Sequence, residues 1–570
     1  MVSSSHTITG SLVATWRTKF LFLLCALLAG ALLVRLYGLQ IEKGDYYSAL
    51  ALGQQRGLQE LLPPRGNIYL QDKAGSSRFL VATNRKMPLV YAVPKEIEDP
   101  AITLSPLVDI LQIEEHIQPV LLQRLSNSGS SYALIKNQIT QEQVDKVENL
   151  NLKGIYVRNE LVRFYPAHEL VSQVLGFVGY SGNTRSGQYG IERSYEDQLS
   201  GMAVSESLFG VGEESLQAGA DVELTIDYGV QFFVEQRLKQ AVDYLDADAG
   251  SAIFMDPKTG AIIAMANLPG FDPNTYGDAE DIAIFRNDAV AGSFEPGSSF
   301  KPITMAAAID AGVVTPTTTY NDTGSFEVDG YTVKNFDGKG RGIQTMTQVL
   351  ESSLNTGVMY AQRLLGNDRF RDYVTAFHID KITGIELPGE QPGNIRGIAP
   401  GSAAVNFSTA TFGQGISMTP LQLLSAISAL ANNGVMMQPY VVSKVSTSAG
   451  EEVTKPKEVG TPISAATASR LTGMLVSTAE NGYDKKASIP GYSTAAKTGT
   501  AQVPNPDGPG YSDQVIHSFV GYAPAYNPRF IGIIKVDNPK TIRFAADSLA
   551  PVFHDISAFM LQYYQVPPDK

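Results

Sequence analysis

The pattern of apolar and polar positions divides the chain into three stretches. Phe20 to Ile41 is a near-continuous apolar run, broken by Arg35 and Gln40. At about 1.5 Å rise per residue, such a helix spans roughly the hydrocarbon thickness of a bilayer. From 42 to about 215 short strand-like and helical runs alternate. "PPRGNIYL" at Pro63–Leu70 reads as a turn into a strand, and "GQYGIERSYEDQLSG" at Gly187–Gly201 as a turn and then a helix stopped by Gly201. The Gly-rich, acidic "GVGEESLQAGAD" at Gly210–Asp221 reads as a linker. After it, "VELTID" predicts a strand, and "YGVQFFVEQRLKQAVDYL" a helix by its periodicity. "AGSAIFMDPKTGAIIAMANLPGF" predicts a hairpin whose two apolar strands are joined by Asp256–Gly260. Helical runs fill much of 300–435. Strands return in "STAAKTGTAQV", "HSFVGYAP" and "RFIGIIKVDNP", with "AYNP" as the turn between the last two. Strands, a helical middle and strands again predict an α+β domain whose sheet joins both sequence ends.

Composition narrows the function classes. The 570 residues suffice for two or more domains, and 44% hydrophobic with 18% charged residues is a globular balance. A net charge of −13 argues against a nucleic-acid surface, which needs a basic face. Cys25 is the lone cysteine, so no intramolecular disulfide framework exists. The six histidines are scattered, with no HExxH and no CxxC, so neither a metal nor another cofactor is expected. Arg17 and Lys19 precede the apolar run, and the leader has no acidic residue. The positive-inside tendency then places 1–19 in the cytoplasm, 20–41 across the membrane and the rest outside. A cleaved signal peptide is the competing reading, with Ala29-Gly30-Ala31 as the small-residue site; the apolar run continuing past Ala31 argues for an anchor.

The candidate chemistry lies in "FEPGSSFKPITMAAAIDAG", Phe294 to Gly312. Pro296-Gly297 breaks the preceding structure, and Pro302 is tolerated only near a helix start, which places that start close to Ser298. Ser298 and Lys301, three apart, then share a helical face. A serine needs a base to become a nucleophile, and a lysine serves if burial or a neighbouring cation lowers its proton affinity. Ser299 has Pro302 at the same spacing, which offers no amine. Alone, Ser-x-x-Lys is better explained by a capped helix with an exposed lysine. Two further pieces change the balance. "ESSLNTGV" supplies Ser353-Leu354-Asn355: a second hydroxyl able to relay a proton, and an amide able to hold a substrate backbone. "AAKTGTAQV" supplies Lys497-Thr498-Gly499-Thr500 on a strand whose edge can pair with an extended peptide. There Gly499 removes a side chain where the substrate backbone must approach, and Lys497 with the threonine hydroxyls can bind a carboxylate.

The trio S-x-x-K, S-D-N and K-T-G is the signature of penicillin-binding proteins and class A β-lactamases, and here the middle motif reads Ser-Leu-Asn. The chain closely resembles the class B penicillin-binding proteins, the monofunctional peptidoglycan D,D-transpeptidases, over nearly everything after the apolar run. "TFGQGISMTPLQLLSAISALANNG" looks like the family's core helix region and "HSFVGYAPAYNP" like its late strand and turn. "RGNI" and "GQYGIERSYEDQLSG" look like its N-terminal pedestal, or dimerisation domain. The resemblance implies a tail (1–19), an anchor (20–41), an elongated pedestal (42–215) and a penicillin-binding, β-lactamase-like transpeptidase domain (216–570) with an antiparallel sheet flanked by helices. Carried over by position, it implies Ser298 as nucleophile, Lys301 as general base, and Ser353 as proton shuttle tuned by Lys497. Asn355 orients the donor peptide and Lys301. The N–H groups of Ser298 and Thr500 form the oxyanion hole, and Thr498 and Thr500 hold the terminal carboxylate. The donor is a stem peptide ending in D-Ala-D-Ala, the acceptor an amine of a neighbouring stem, and β-lactams are donor mimics. Implied partners are a SEDS-family glycosyltransferase and other divisome or elongasome membrane proteins; the implied location is a single-pass protein of the cytoplasmic membrane with its catalytic domain outside.

One departure is visible. Tyr69-Leu70-Gln71 separates Arg65-Gly66-Asn67-Ile68 from Asp72-Lys73-Ala74-Gly75, so this hairpin looks two residues longer than the family's. Lys-Thr-Gly-Thr followed by Ala-Gln, with "SFVGYAPAYNPR", looks more like the FtsI-type septal branch than the elongation branch. A D,D-carboxypeptidase or β-lactamase shares the trio but needs neither anchor nor pedestal. A non-catalytic penicillin-binding sensor or scaffold would keep the fold without needing the intact set of Ser298, Lys301, Ser353, Asn355 and Lys497.

Overall fold

The computed structural model describes residues 63–570 apart from 74, 76, 182–183, 206–213 and 506–507. The anchor expected at 20–41, its tail and Cys25 lie outside the described residues, as do 210–213 of the expected linker. Among the described residues no helix is long and apolar enough to cross a membrane. Residues 64–202 and 218–570 form one compact unit.

The N-terminal part of that unit is built on a seven-stranded mixed sheet. Strand β1 (Ile68–Gln71) pairs antiparallel with β2 (Arg78–Ala92), which continues against β3 (Ala133–Lys136) and β4 (Ile155–Phe164). Helices Pro100–Leu111, Gln118–Leu125 and Gln141–Asn149 bury Leu107, Leu121 and Val144 with Val90 and Ile135 of this sheet. The other half of the sheet comes from far along the chain. β5 (Asp221–Asp227), read above as the start of the C-terminal domain, lies parallel to β1. Strands Val442–Thr447 and Gly450–Val453 extend it further. An apolar alternation marks a strand but does not name its neighbour, which long-range pairing decides.

The two motifs singled out at 65–68 and 187–201 meet here. Glu192, fully buried, takes Arg65 Nε and Arg163 Nε on its two oxygens, each at 2.6 Å. Arg65 also reaches Glu196 at 2.7 Å, and Arg163 donates to the Gly66 carbonyl at 2.7 Å. The expected helix there is two short ones, Gly190–Ser194 and Glu196–Leu199, interrupted at Tyr195.

The C-terminal part is a five-stranded antiparallel sheet. The expected hairpin is present as β6 (Ala249–Met255) and β7 (Ile262–Leu268). β8 (Ala495–Pro504), β9 (Tyr511–Ala523) and β10 (Phe530–Asp537) complete it in the order β7-β6-β10-β9-β8, with Ala249–Met255 paired to Ile531–Asp537. The sheet therefore joins both ends of this region, as the element order predicts, and β8 is an edge strand. Both faces are covered. Ala252 and Phe254 point to α1 (Tyr228–Leu245) and the C-terminal helix Ala550–Tyr563, with Val234, Leu238 and Phe553. Ile253 and Met255 point to the opposite layer, with Ile303, Leu423 and Leu471. Period-two alternation that is apolar at every position yields such a doubly buried strand. α1 starts where Asp227 accepts from the Val230 N–H, and buries Val230, Val234, Leu238, Ala241 and Leu245 on one face.

The opposite layer holds α2 (Lys301–Asp310), α3 (Met346–Glu351), α4 (Asn355–Leu365), α5 (Pro420–Ala431) and α6 (Ala465–Asn481). α5 is buried on every side, with Gln422, Ser425 and Ser428 among its otherwise apolar residues. Its start is set by Pro420 in the first turn and a Thr419–Gln422 capping box.

Candidate active site

The serine of the Phe294–Gly312 stretch does not begin the α-helix. Gly297–Phe300 is a 3-10 turn, and α2 starts at Lys301. Pro302 gives the reason. An α-helix through Ser298 needs an N–H at position 302 to reach the Ser298 carbonyl, and proline has none. The Lys301 N–H takes that carbonyl instead, which closes the tighter i to i+3 turn. In such a turn residues three apart eclipse, so Ser298 and Lys301 still lie above one another. Ser298 remains partly open. Ser299 is fully buried, with its hydroxyl 2.8 Å from Ser518 Oγ on β9.

Lys301 is fully buried, and its amine goes to Ser353. It donates to the Ser353 carbonyl and, at 3.2 Å, to the Ser353 hydroxyl. Among the described residues no hydrogen bond joins it to Ser298. Burial first, and the Lys497 ammonium second, push the Lys301 amine well below the usual lysine range. An amine shifted in that direction, with the Ser353 hydroxyl at 3.2 Å, is suited to act as a base.

Ser353 sits at the kink between α3 and α4 with φ 50°, a left-handed backbone for a residue other than glycine. Leu354, fully buried, ties this kink into the core. Asn355 opens α4, but its amide donates at 2.9 Å to the Lys334 carbonyl, in a hairpin of Ser325–Val328 and Tyr331–Lys334. The structure thus joins Asn355 to the hairpin rather than to Lys301.

Lys497, Thr498, Gly499 and Thr500 lie on β8, an edge strand packed against the Gly297–Phe300 turn. Lys497 is 2% exposed and donates at 3.0 Å to the Thr498 carbonyl. A buried ammonium cannot meet a carboxylate arriving from solvent, which corrects that part of the expectation, and its amine is not on Ser353. Burial lowers the proton affinity of Lys497, while Asp484 acts in the opposite sense. Thr498 is buried; Thr500 is partly open, and its hydroxyl accepts from the Ala545 N–H at 3.2 Å. Gly499 is required for a different neighbour than expected. A Cβ there would lie 2.4 Å from Ser518 Oγ, 2.5 Å from Ser299 Oγ and 2.7 Å from the Pro296 carbonyl. Its missing side chain admits the Gly297–Phe300 turn, not the substrate.

The structure therefore gathers Ser298, Lys301, Ser353 and Lys497 at one end of the sheet edge, with Thr500 further along it. Sequence reasoning overlooked Asp484, a fully buried carboxylate in "NGYDKKA". It also overlooked the Ser299–Ser518 contact that holds turn to strand.

Residues 250–558 match the family model described as the penicillin-binding protein transpeptidase domain, and residues 60–208 match the penicillin-binding protein dimerisation domain. The chain is similar to Stage V sporulation protein D of Bacillus subtilis, at 31% identity over 98% of this chain and 87% of that protein. It is similar to the peptidoglycan D,D-transpeptidase FtsI of Escherichia coli, at 29% identity over 96% of this chain and 91% of that protein. Among solved structures, penicillin-binding protein 3 of Mycobacterium tuberculosis, complexed with aztreonam, superposes with a TM-score of 0.69. It is 27% identical, and the match covers 89% of this chain and 98% of that one.

Proposed function

The chain belongs to the class B penicillin-binding proteins, the monofunctional peptidoglycan D,D-transpeptidases, and from that membership we propose that it cross-links stem peptides through an acyl-enzyme on Ser298. The observation that carries this reading is the buried Lys301 amine on the Ser353 hydroxyl, beside the Ser298 turn and an edge strand.

The donor stem peptide lies along β8. Ser298 Oγ attacks the carbonyl of the penultimate D-Ala, and its proton passes to Lys301 Nζ. The N–H groups of Ser298 and Thr500 hold the oxyanion. The C–N bond breaks, Ser353 hands a proton from Lys301 to the departing D-Ala amine, and an ester remains on Ser298. An acceptor amine then attacks that ester and releases Ser298 with its proton restored. Thr498 and Thr500 flank the donor carboxylate, and Asn355 holds its backbone. β-Lactams take the donor's place and leave Ser298 acylated.

We assign the enzyme to septal wall synthesis, on the Lys-Thr-Gly-Thr-Ala-Gln and "SFVGYAPAYNPR" segments and on its likeness to FtsI. Residues 20–41 anchor it in the cytoplasmic membrane with the catalytic region outside. A SEDS-family glycosyltransferase supplies the strands, and other divisome membrane proteins recruit it. A fluorescent penicillin that labels the wild type and not Ser298→Ala supports the acyl-enzyme; a label that survives the substitution refutes it. Rapid loss of the adduct by intact mass points instead to a β-lactamase. A fluorescent fusion along the side wall rather than at midcell overturns the septal assignment.

A further inference from the structure

Asp484 is 1% exposed, and its Oδ1 has no hydrogen-bond partner among the described residues. A lone buried carboxylate is strongly unfavourable unless an opposite charge compensates it. Its carrier is a short 3-10 turn, Tyr483–Ala487, that packs on β8. Gly482 brings this turn hard against the end of α3: a Cβ there would lie 2.7 Å from the Glu351 carbonyl, two residues before Ser353. The turn thus bridges the strand that carries Lys497 and the kink that carries Ser353.

The other charges around the turn are already engaged. Lys486 pairs with Asp547 at 2.7 Å, Glu480 with Lys570, and Asp555 with Arg237. Glu351 accepts from the Ser477 hydroxyl, His554 Nδ1 faces the Ser488 carbonyl, and Arg341 is held by Asp337. Lys485 is exposed, and Lys301 is on Ser353. Of the three buried lysines, Lys535 has Asp537 at 2.6 Å, while Lys301 and Lys497 have no ion pair among the described residues. Asp484 and Lys497 are left as the uncompensated buried charges on either side of one packing contact. They are not in direct contact, but in a low-dielectric interior a charge acts beyond hydrogen-bond reach.

We propose that Asp484 is a positioning residue of the active site: from the turn packed on β8, its buried carboxylate supplies the countercharge to the Lys497 amine. This rests on the roles given above to Ser298, Lys301 and Lys497. Two electrostatic effects support it. Asp484 strengthens proton binding by Lys497, and the Lys497 charge weakens it at Lys301. The influence runs from Asp484 through Lys497 to Lys301, the base proposed for Ser298.

The test uses the full-length protein in detergent and a fluorescent penicillin as probe. Acylation rate is followed against pH for the wild type, Asp484→Asn and Asp484→Glu. The carboxamide removes the anion, so Lys497 sheds its proton at lower pH. The alkaline limb of the profile moves down by about one unit, a roughly tenfold loss of rate on that side, and the acid limb stays. Asp484→Glu restores the limb. A limb that does not move in a folded Asp484→Asn overturns the proposal. A second measurement is independent of chemistry at Ser298. Asp484→Asn lowers the unfolding midpoint in the wild type and raises it in a Lys497→Met background, where the carboxylate has lost its cation. The same sign in both backgrounds overturns the proposal. Should Asp484→Asn alone not fold, a folded double variant supports the pairing and an unfolded one refutes it. Should Ser298→Ala keep its label, the catalytic reading falls, and the stability cycle still decides for or against Asp484.

Discussion

The Lys301 amine is held by Ser353, through both its hydroxyl and its backbone carbonyl, across 52 residues of chain. The serine three residues before the lysine is the proposed nucleophile, but the serine far downstream holds the amine. Ser353 keeps that position at the cost of a left-handed backbone, φ 50°.

Two substitutions separate the hydroxyl from the backbone. Ser353→Ala and Ser353→Gly both remove the proton relay, and each lowers penicillin acylation on the order of 10²-fold or more. Their stabilities diverge, because glycine relieves the positive φ and alanine does not. Ser353→Gly is expected to be about 1 kcal/mol more stable than Ser353→Ala in denaturant unfolding.

Lys301 has its proton affinity lowered by burial and then by Lys497. Acylation therefore rises with pH as Lys301 becomes neutral, with the midpoint well below the ordinary lysine range. Lys497→Met keeps the volume and removes the like charge, so Lys301 holds its proton more tightly. The acid limb of the rate profile moves to higher pH; a shift to lower pH would contradict the electrostatic account.

Gly499→Ala places a methyl against Ser299, Ser518 and the Pro296 carbonyl. The nucleophile turn must back away from β8. Acylation is expected to fall by about 10²-fold, as a misplacement near 1 Å does, and unfolding free energy by about 1–3 kcal/mol. Adding Ser299→Ala relieves one of the three contacts and restores part of each loss.

His517 gives a pH-dependent stability. Its ring is buried between Ser548 Oγ at 2.8 Å and the Arg543 carbonyl at 3.1 Å. The carbonyl can only accept, so Nε2 carries a proton. Burial pulls its pKa down to about 4. The unfolded chain protonates first, near pH 6.5, so the native state is fully stable above that value and loses stability as pH falls from there towards about 4. The loss is expected to be on the order of 2–3 kcal/mol between pH 7 and pH 4, read from denaturant midpoints. His517→Gln should flatten most of that slope.

Glu192 pairs with both Arg65 and Arg163 inside the N-terminal region, and Glu196 supplies the second negative charge. Glu192→Ala leaves Arg163 without a carboxylate and Arg65 with Glu196 alone. About 3–5 kcal/mol of stability is expected to be lost. The penicillin acylation rate per folded molecule should hardly change, because none of these residues adjoins Ser298.

Much of this was legible in the chain. The hairpin of β6 and β7, the helix α1 and the return of strands after residue 490 all follow from local period and turn residues, which tertiary contacts here reinforce. The nucleophile turn was half legible: Pro302 marks a start, and the same missing N–H shortens the preceding turn to 3-10. Gly499 read as a gap for substrate because a strand glycine does not say which of its sides is crowded. Asp484 was invisible, since "NGYDKKA" has the look of an exposed helix end and only the fold buries it. Asp221–Asp227 was a clear strand with an unreadable partner.

That strand has a consequence for inheritance. The N-terminal sheet takes β5 and the Val442–Val453 ribbon from chain that otherwise serves the C-terminal region. The two regions are consecutive in sequence but stitched in space, so neither is a cassette. A chimera that exchanged residues 64–202 alone between relatives would ask a foreign β1 to match this chain's β5 in register. Recombination and engineering alike have to carry the 442–453 segment along with the N-terminal half, as one inherited unit assembled from distant parts of the gene.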